Sequence, residues 1–277
     1  MAHFIPSSVL FLALVMGQPS CLFSQSVRAA NHSHGRTVHV VQAPKMAPNN
    51  VDSPRPAVNP AAGTWKYKDT DVVRDNLTLH STYSVTVKDD GGVWTVTTAM
   101  EFPEGLVTGV STLEKGTLLL RKESFTHFLH PDQPWKPIAI NLDFIANRIS
   151  GTMKYVDAPD KPVTVDSGGP LFAAPNGWIG CLPLADGYST TFRYFDIERF
   201  AHDPQASNKI KLVQLKVVGM ERVTVSAGTF DSYKVEMISA NGGPNKSTIW
   251  IAKHSRMPVK ISAVDELYGV STTELVP

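Results

Sequence analysis

Cysteine is almost absent: the 277 residues contain Cys21 and Cys181 and no others. With Cys21 beside an N-terminal apolar stretch, a processed chain keeps only Cys181, which excludes an internal disulfide and a cysteine-built zinc site. Charge of one sign is also missing. Against 26 Lys+Arg stand 25 Asp+Glu, a formal net charge of +1, which removes the attraction that nucleic-acid and membrane-surface binders use. No apolar run approaches the roughly 20 residues of a transmembrane helix. Strands and helices do not alternate, which argues against a doubly wound α/β fold. There is no His-Glu-x-x-His and no glycine-rich phosphate loop after a strand, so no metal site and no cofactor are expected. Asp143, Asp157, Asp160 and Asp166 are scattered over loop-like segments without a pairing pattern. What is present is a chain 42% hydrophobic, ample for a core.

The N-terminal end reads as an export signal. Val9–Gly17 is an apolar core of the expected length, and small residues follow at Ser24, Ser26, Ala29 and Ala30. This predicts a signal peptide over residues 1–26, a mature start between Gln25 and His32, and a periplasmic or secreted location. Cys21, preceded by Ser20, offers a lipid-anchored alternative. Residues 27–62 are rich in Pro, Asn and Ala without periodicity and predict a disordered linker. His32, His34 and His39 within it could hold a metal ion transiently, but histidines in such an arm are read as incidental. Residues 63–277 read as a single β-rich domain.

From Trp65 onward the dominant period is two. Tyr83, Val85 and Val87 alternate with polar residues, Asp89-Asp90-Gly91-Gly92 turns the chain, and Trp94, Val96, Thr98 and Met100 alternate again, the pattern of a β-hairpin. Strands are also expected after Gly116 and over Ile149–Val156. Later come Lys211–Val218, interrupted at Gly219 and resumed at Val223 and Val225, then a turn at Ala227-Gly228-Thr229 and alternation through Tyr233, Val235 and Met237. After the turn Asn241–Asn245, strands follow at Thr248–Ala252 and Val259–Ile261, with Pro258 at a strand start. The best helix candidate is a short piece near Trp178–Leu182. Connections this short make neighbours antiparallel. The fold expected is all-β: a large twisted antiparallel sheet curled into an open half barrel, with at most one or two short helices.

Val165-Asp166-Ser167-Gly168-Gly169-Pro170-Leu171 comes close to the sequence around the nucleophile of chymotrypsin-like proteases. Such a serine needs a histidine base and an oxyanion hole. His80, His127 and His130 precede Ser167, but none sits in the expected context. The reading adopted is a turn in which Asp166 or Ser167 bonds local backbone, and no catalytic residue is assigned.

Two stretches of the second half occur in a recognisable order. They are Leu182-Pro183-Leu184-Ala185-Asp186-Gly187-Tyr188, and Val217 to Glu236 with its Ala227-Gly228-Thr229-Phe230 hairpin. Thr248-Ile249-Trp250-Ile251 and Pro258-Val259-Lys260-Ile261 follow. Over about residues 166–263 this resembles the DUF3108-like family of exported bacterial proteins. The resemblance implies a fold similar to the lipoprotein carriers LolA and LolB, a curved sheet around an apolar cavity, and it carries no catalytic residues over. Glu221 and Lys234 are expected to pair across strands.

The function expected is a non-enzymatic, exported sheet protein that binds an apolar small molecule, a lipid or an envelope lipoprotein on its concave face. Trp94, Tyr194, Tyr233 and Trp250 are the candidate ligand-binding residues, with Trp94 and Trp250 facing the inside of the curve. The alternatives are a scaffold domain with no small ligand, marked by a filled interior, and a serine hydrolase built on Ser167.

Overall fold

The computed structural model describes residues 54–72, 78–102, 105–126, 138–174, 177–202, 209–240, 246–265 and 269–277. The signal-peptide reading, the histidines at 32, 34 and 39, and the Asn241–Asn245 turn lie outside them. Among the described residues the strands are β1 Gly63–Val72, β2 Thr78–Asp89, β3 Val93–Phe102, β4 Gly105–Glu114, β5 Leu120–Thr126, β6 Ala139–Ile145, β7 Arg148–Lys154 and β8 Lys161–Asp166. The second series is β9 Ser189–Phe195, β10 Ile210–Val225, β11 Gly228–Ser239, β12 Lys246–Ala252, β13 Pro258–Asp265 and β14 Gly269–Val276. A 3₁₀ turn spans Ile179–Cys181, and one short helix, α1, spans Ile197–His202.

All fourteen strands belong to one antiparallel sheet, not closed into a barrel. Its order is β8-β7-β6-β5-β4-β3-β2-β1-β14-β13-β12-β11-β10-β9. The expected hairpin is β2–β3, with Gly91 at φ 78° in its turn. The interruption at Gly219 is a bulge in β10 against β11, where Gly219 takes φ 151°, a conformation glycine adopts without steric cost. Pro258 opens β13 as expected.

The alternating residues sort the sheet into two faces. Tyr67, Tyr83, Val85, Val87, Leu113, Leu142, Ile149, Val235, Ile249 and Val259 are buried on one; lysines, threonines and serines dominate the other. The sheet rolls around its buried face until the far ends meet. Phe144 on β6 touches Phe195 on β9, ring centroids 5.5 Å apart, although ten strands lie between β6 and β9 in the sheet order. Backbone closes the seam in part: Phe172 bridges both Leu119 and Tyr194.

Much of the connection from β8 to β9 leaves the surface. It enters the concavity, and Leu171, Phe172, Ala173, Trp178, Ile179, Cys181, Leu182 and Leu184 are buried there. Trp178 stacks on Phe172 at 4.8 Å, meets Phe192 edge-on at 5.2 Å, and donates its indole N–H to the Ala173 carbonyl at 2.9 Å. The 3₁₀ turn falls within the segment expected to be helical. Residues 54–62, expected as the end of a disordered linker, instead lie against this plug. Pro54 and Pro60 are buried, and the N–H groups of Ala57 and Val58 donate to the Cys181 carbonyl at 2.8 and 3.2 Å. Two buried rings and two backbone hydrogen bonds give this stretch the contacts that its composition does not advertise.

Candidate functional site

One half-buried block on the concave face is ringed by buried residues. Val96 and Thr98 on β3 stand opposite Ser111 and Gly109 on β4, and all four are half-buried. Their flanking partners are buried: Val87 and Val85 on β2, Glu123 and Phe125 on β5. Along the strands the block is bounded by the buried Trp94 and Leu113 at one end and Met100 and Val107 at the other. A Cβ added at Gly109 would meet no atom within 4 Å. The connector roofs one margin, since a Cβ at Gly177 would stand 2.9 Å from Val96 Cγ1. The result is a half-buried patch with apolar surroundings, two hydroxyls (Thr98, Ser111) and an acid beside it.

That acid is Glu123. Its Oε1 accepts from Ser111 Oγ at 3.3 Å and its buried Oε2 has no hydrogen-bond partner. Burial, with the carboxylate of Asp196 adding to it, pushes Glu123 up to about 8, so at neutral pH it is mostly protonated. Asp196, at the N-terminal end of α1, is paired with Lys211 at 3.7 Å. A second acidic station lies on β1, where Asp69 and Asp71 share the concave face and are both buried. Thr273 Oγ1 donates to Asp69 Oδ1 at 2.6 Å. Burial first, then Asp71, pushes Asp69 up to about 7, and burial raises Asp71 as well. Among the described residues no three His, Cys, Asp or Glu side chains group as a metal site. The buried Cys181 thiol is pushed up to about 12 by burial, far from the thiolate a nucleophile needs. Asp69 and Glu123 belong to no sequence motif. The signal that could have found them is phase: Asp69 alternates in step with Trp65 and Tyr67, and Glu123 in step with Phe125.

The structure does not gather the four aromatic candidates into one site. Trp94 faces the concave side as expected and is buried, with Lys115 Nζ 5.1 Å from its ring centroid. Tyr194 is buried beside the plug. Tyr233 is half-buried at the β12–β13 turn. Trp250 corrects the expectation: it faces the convex side, because Ile249 and Ile251 on either side of it are both buried. Its indole N–H donates to Glu221 Oε2 at 3.0 Å, and the same oxygen pairs with Lys234 Nζ at 3.1 Å, the cross-strand pair expected from the sequence.

Ser167 occupies a turn. Its buried Oγ donates to the Gly169 carbonyl at 2.7 Å, and Asp166 Oδ1 accepts from the Gly168 N–H at 2.8 Å. His80 bonds Thr70 instead; His127 and His130 lie outside the described residues. The adjoining cavity, lined by Leu119, Phe144, Ser167, Pro170 and Leu171 among others, has a volume of about 70 Å³, room for a few waters rather than a substrate.

These features define a class: an open, rolled antiparallel sheet whose long β8–β9 connection is folded into its own concavity. The model of the family described as "Protein of unknown function (DUF3108)" matches residues 72–276, and the chain belongs to that family. The motifs noted over residues 166–263 fall inside this span. No curated protein matches the chain. Among solved structures, a β-barrel-like protein of the DUF1849 domain from Brucella abortus is similar at 9% identity and TM-score 0.45, covering 77% of this chain and 94% of that one. A protein described as exported, with a YmcC-like fold, from Bacteroides fragilis is similar at 13% identity and TM-score 0.29, covering 80% and 97%. One described as a lipoprotein, from Parabacteroides distasonis, is similar at 13% identity and TM-score 0.28, covering 81% and 98%. The fold assignment rests on the sheet itself rather than on these likenesses.

Proposed function

We propose that this is an exported, non-enzymatic protein that holds an apolar ligand, a lipid or the acyl chain of an envelope lipoprotein, at the half-buried patch on its concave face. Export is supported by the apolar N-terminal stretch and the small residues after it. One observation carries the ligand reading: Val96, Thr98, Gly109 and Ser111 form a half-exposed block whose neighbours on that face, along and across the strands, are all buried. A glycine there leaves unfilled space where β sheets ordinarily place a side chain, and apolar surroundings with a few polar groups are what small-molecule sites present. The test is titration of the mature protein with dansyl-undecanoic acid, read by dansyl fluorescence. Saturable binding by the native protein that Gly109→Leu abolishes supports the reading, and Leu fits because the space beside Gly109 is open. A native protein that shows no saturable binding refutes it. The filled remainder of the concavity, packed by Trp178, Phe172 and Phe192, favours the second reading in that case, a scaffold domain with no small ligand.

A further inference from the structure

The turn between β12 and β13 places an arginine where a glycine is the cheaper residue. Arg256 has φ 59°, the left-handed region that costs a side-chain-bearing residue and that glycine enters freely. The turn is closed by backbone hydrogen bonds from Arg256 N–H to Ala252 O at 2.9 Å and from Ala252 N–H to Met257 O at 3.0 Å. It is pinned from inside by the plug, where a Cβ on Gly180 would stand 1.7 Å from Arg256 O. The side chain bought by this strain lies over Tyr233 but pairs with no acid. Arg256 Nη1 is buried without an acceptor, and among the described residues no carboxylate pairs with Arg256, Lys253 or His254. The nearest acid in the register is Asp231, whose backbone carbonyl takes the Lys253 N–H at 2.9 Å; its side chain joins no ion pair to the turn. The two cations nevertheless converge. The Arg256 guanidinium is 5.3 Å and Lys253 Nζ 5.9 Å from the centroid of the same ring, Tyr233. Exposed His254 lies between them in sequence.

Two like charges drawn to one aromatic ring repel each other unless an anion joins them. A strained residue at a turn points to a use for its side chain, and a guanidinium and an ammonium held at one ring are the groups that bind phosphate. We propose that Arg256 and Lys253 form an anion site over Tyr233 that takes a phosphate group, from a phospholipid headgroup or from a soluble phosphate. The site lies on different strands from the concave patch and goes beyond the function proposed above, so either can fail alone.

Arg256→Gly separates ligand from fold. Glycine suits φ 59°, so this variant keeps or raises the melting temperature while losing the guanidinium. Lys253→Gln, at an exposed position, is the second variant. The mature protein and both variants are mixed with phosphatidylglycerol vesicles, with phosphatidylcholine vesicles, and with inorganic phosphate followed by calorimetry. Binding that weakens about tenfold or more in Arg256→Gly, and less in Lys253→Gln, supports the site. Selective binding to phosphatidylglycerol identifies the headgroup as the source, and binding of inorganic phosphate identifies the soluble ion. The proposal is overturned if the native protein binds in none of the arms, or if both folded variants bind as tightly as the native protein. Should Arg256→Gly fail to fold, Lys253→Gln alone decides.

Discussion

Gly180 and Arg256 touch through backbone: the carbonyl oxygen of Arg256 occupies the place a Cβ on Gly180 would need, 1.7 Å away. The plug therefore reaches the β12–β13 turn with no side chain between them. Gly180→Ala has to push the 3₁₀ turn off the sheet, and the expected loss is about 1–3 kcal/mol or more in urea unfolding. Gly92→Ala is the control, since a Cβ there meets nothing within 4 Å; its stability should stay within about 0.5 kcal/mol of native.

Stability should fall as pH rises from about 4.5 to 8. Glu123 carries its proton in the folded protein up to about 8, against 4.5 for an ordinary glutamate. Between those values the unfolded chain releases the proton and the folded one holds it, so the unfolded state gains; below the window both are protonated, above it neither is. Asp69 acts in the same sense up to about 7. The combined effect is on the order of a few kcal/mol. Urea unfolding at pH 5 and pH 9 measures it, and Glu123→Gln, neutral throughout, should flatten the dependence. A native protein equally stable at both pH values contradicts this account.

Trp178→Ala should cost about 3–5 kcal/mol, because the ring fills the concavity and its N–H satisfies the Ala173 carbonyl. Loss of the near-ultraviolet circular dichroism of the Trp178–Phe172–Phe192 cluster is the accompanying signature.

Trp250→Ala should cost far less, under about 1 kcal/mol, since the indole lies on the convex face among Glu221, Lys234 and Lys260. Binding of a dansylated fatty acid at the concave patch should be unaffected by it. Weakened binding in this variant would place the ligand on the other face.

Ser167→Ala should remove one turn hydrogen bond, about 1 kcal/mol, and a fluorophosphonate probe should not label Ser167 in the folded protein. Labelling that disappears on heat unfolding would contradict the turn assignment.

The sequence was legible where strands alternate cleanly between a buried and a wet face. The β2–β3 and β10–β11 hairpins show it: each has apolar residues in one phase and turn residues between. β9 was not legible, because Thr190, Thr191, Phe192, Tyr194 and Phe195 are all buried and a strand covered on both sides does not alternate. The half-buried block was invisible for another reason: Thr98 passes as one member of the inward phase of β3, and Gly109 and Ser111 carry no apolar signal. Trp250 misled because one large aromatic outweighed two isoleucines, whereas the phase of Ile249 and Ile251 sets which face is inside. The buried acids Asp69 and Glu123 belong to no motif, and their only mark in the sequence is that each sits in the apolar phase of its strand.

The first strand and the last lie side by side in the middle of the sheet, with Lys66 opposite Val276. Every other neighbouring pair is also consecutive in the chain. Joining the two ends across that central pair and opening the chain between β8 and β9 would turn the order of strands in space into their order in sequence, a single uninterrupted meander. Only the plug would lose its covalent attachment at one end. Such a rearranged chain should fold by local pairings alone, and whether the freed segment still finds the concavity would show how much of its place there is owed to its own packing and how much to being tethered on both sides.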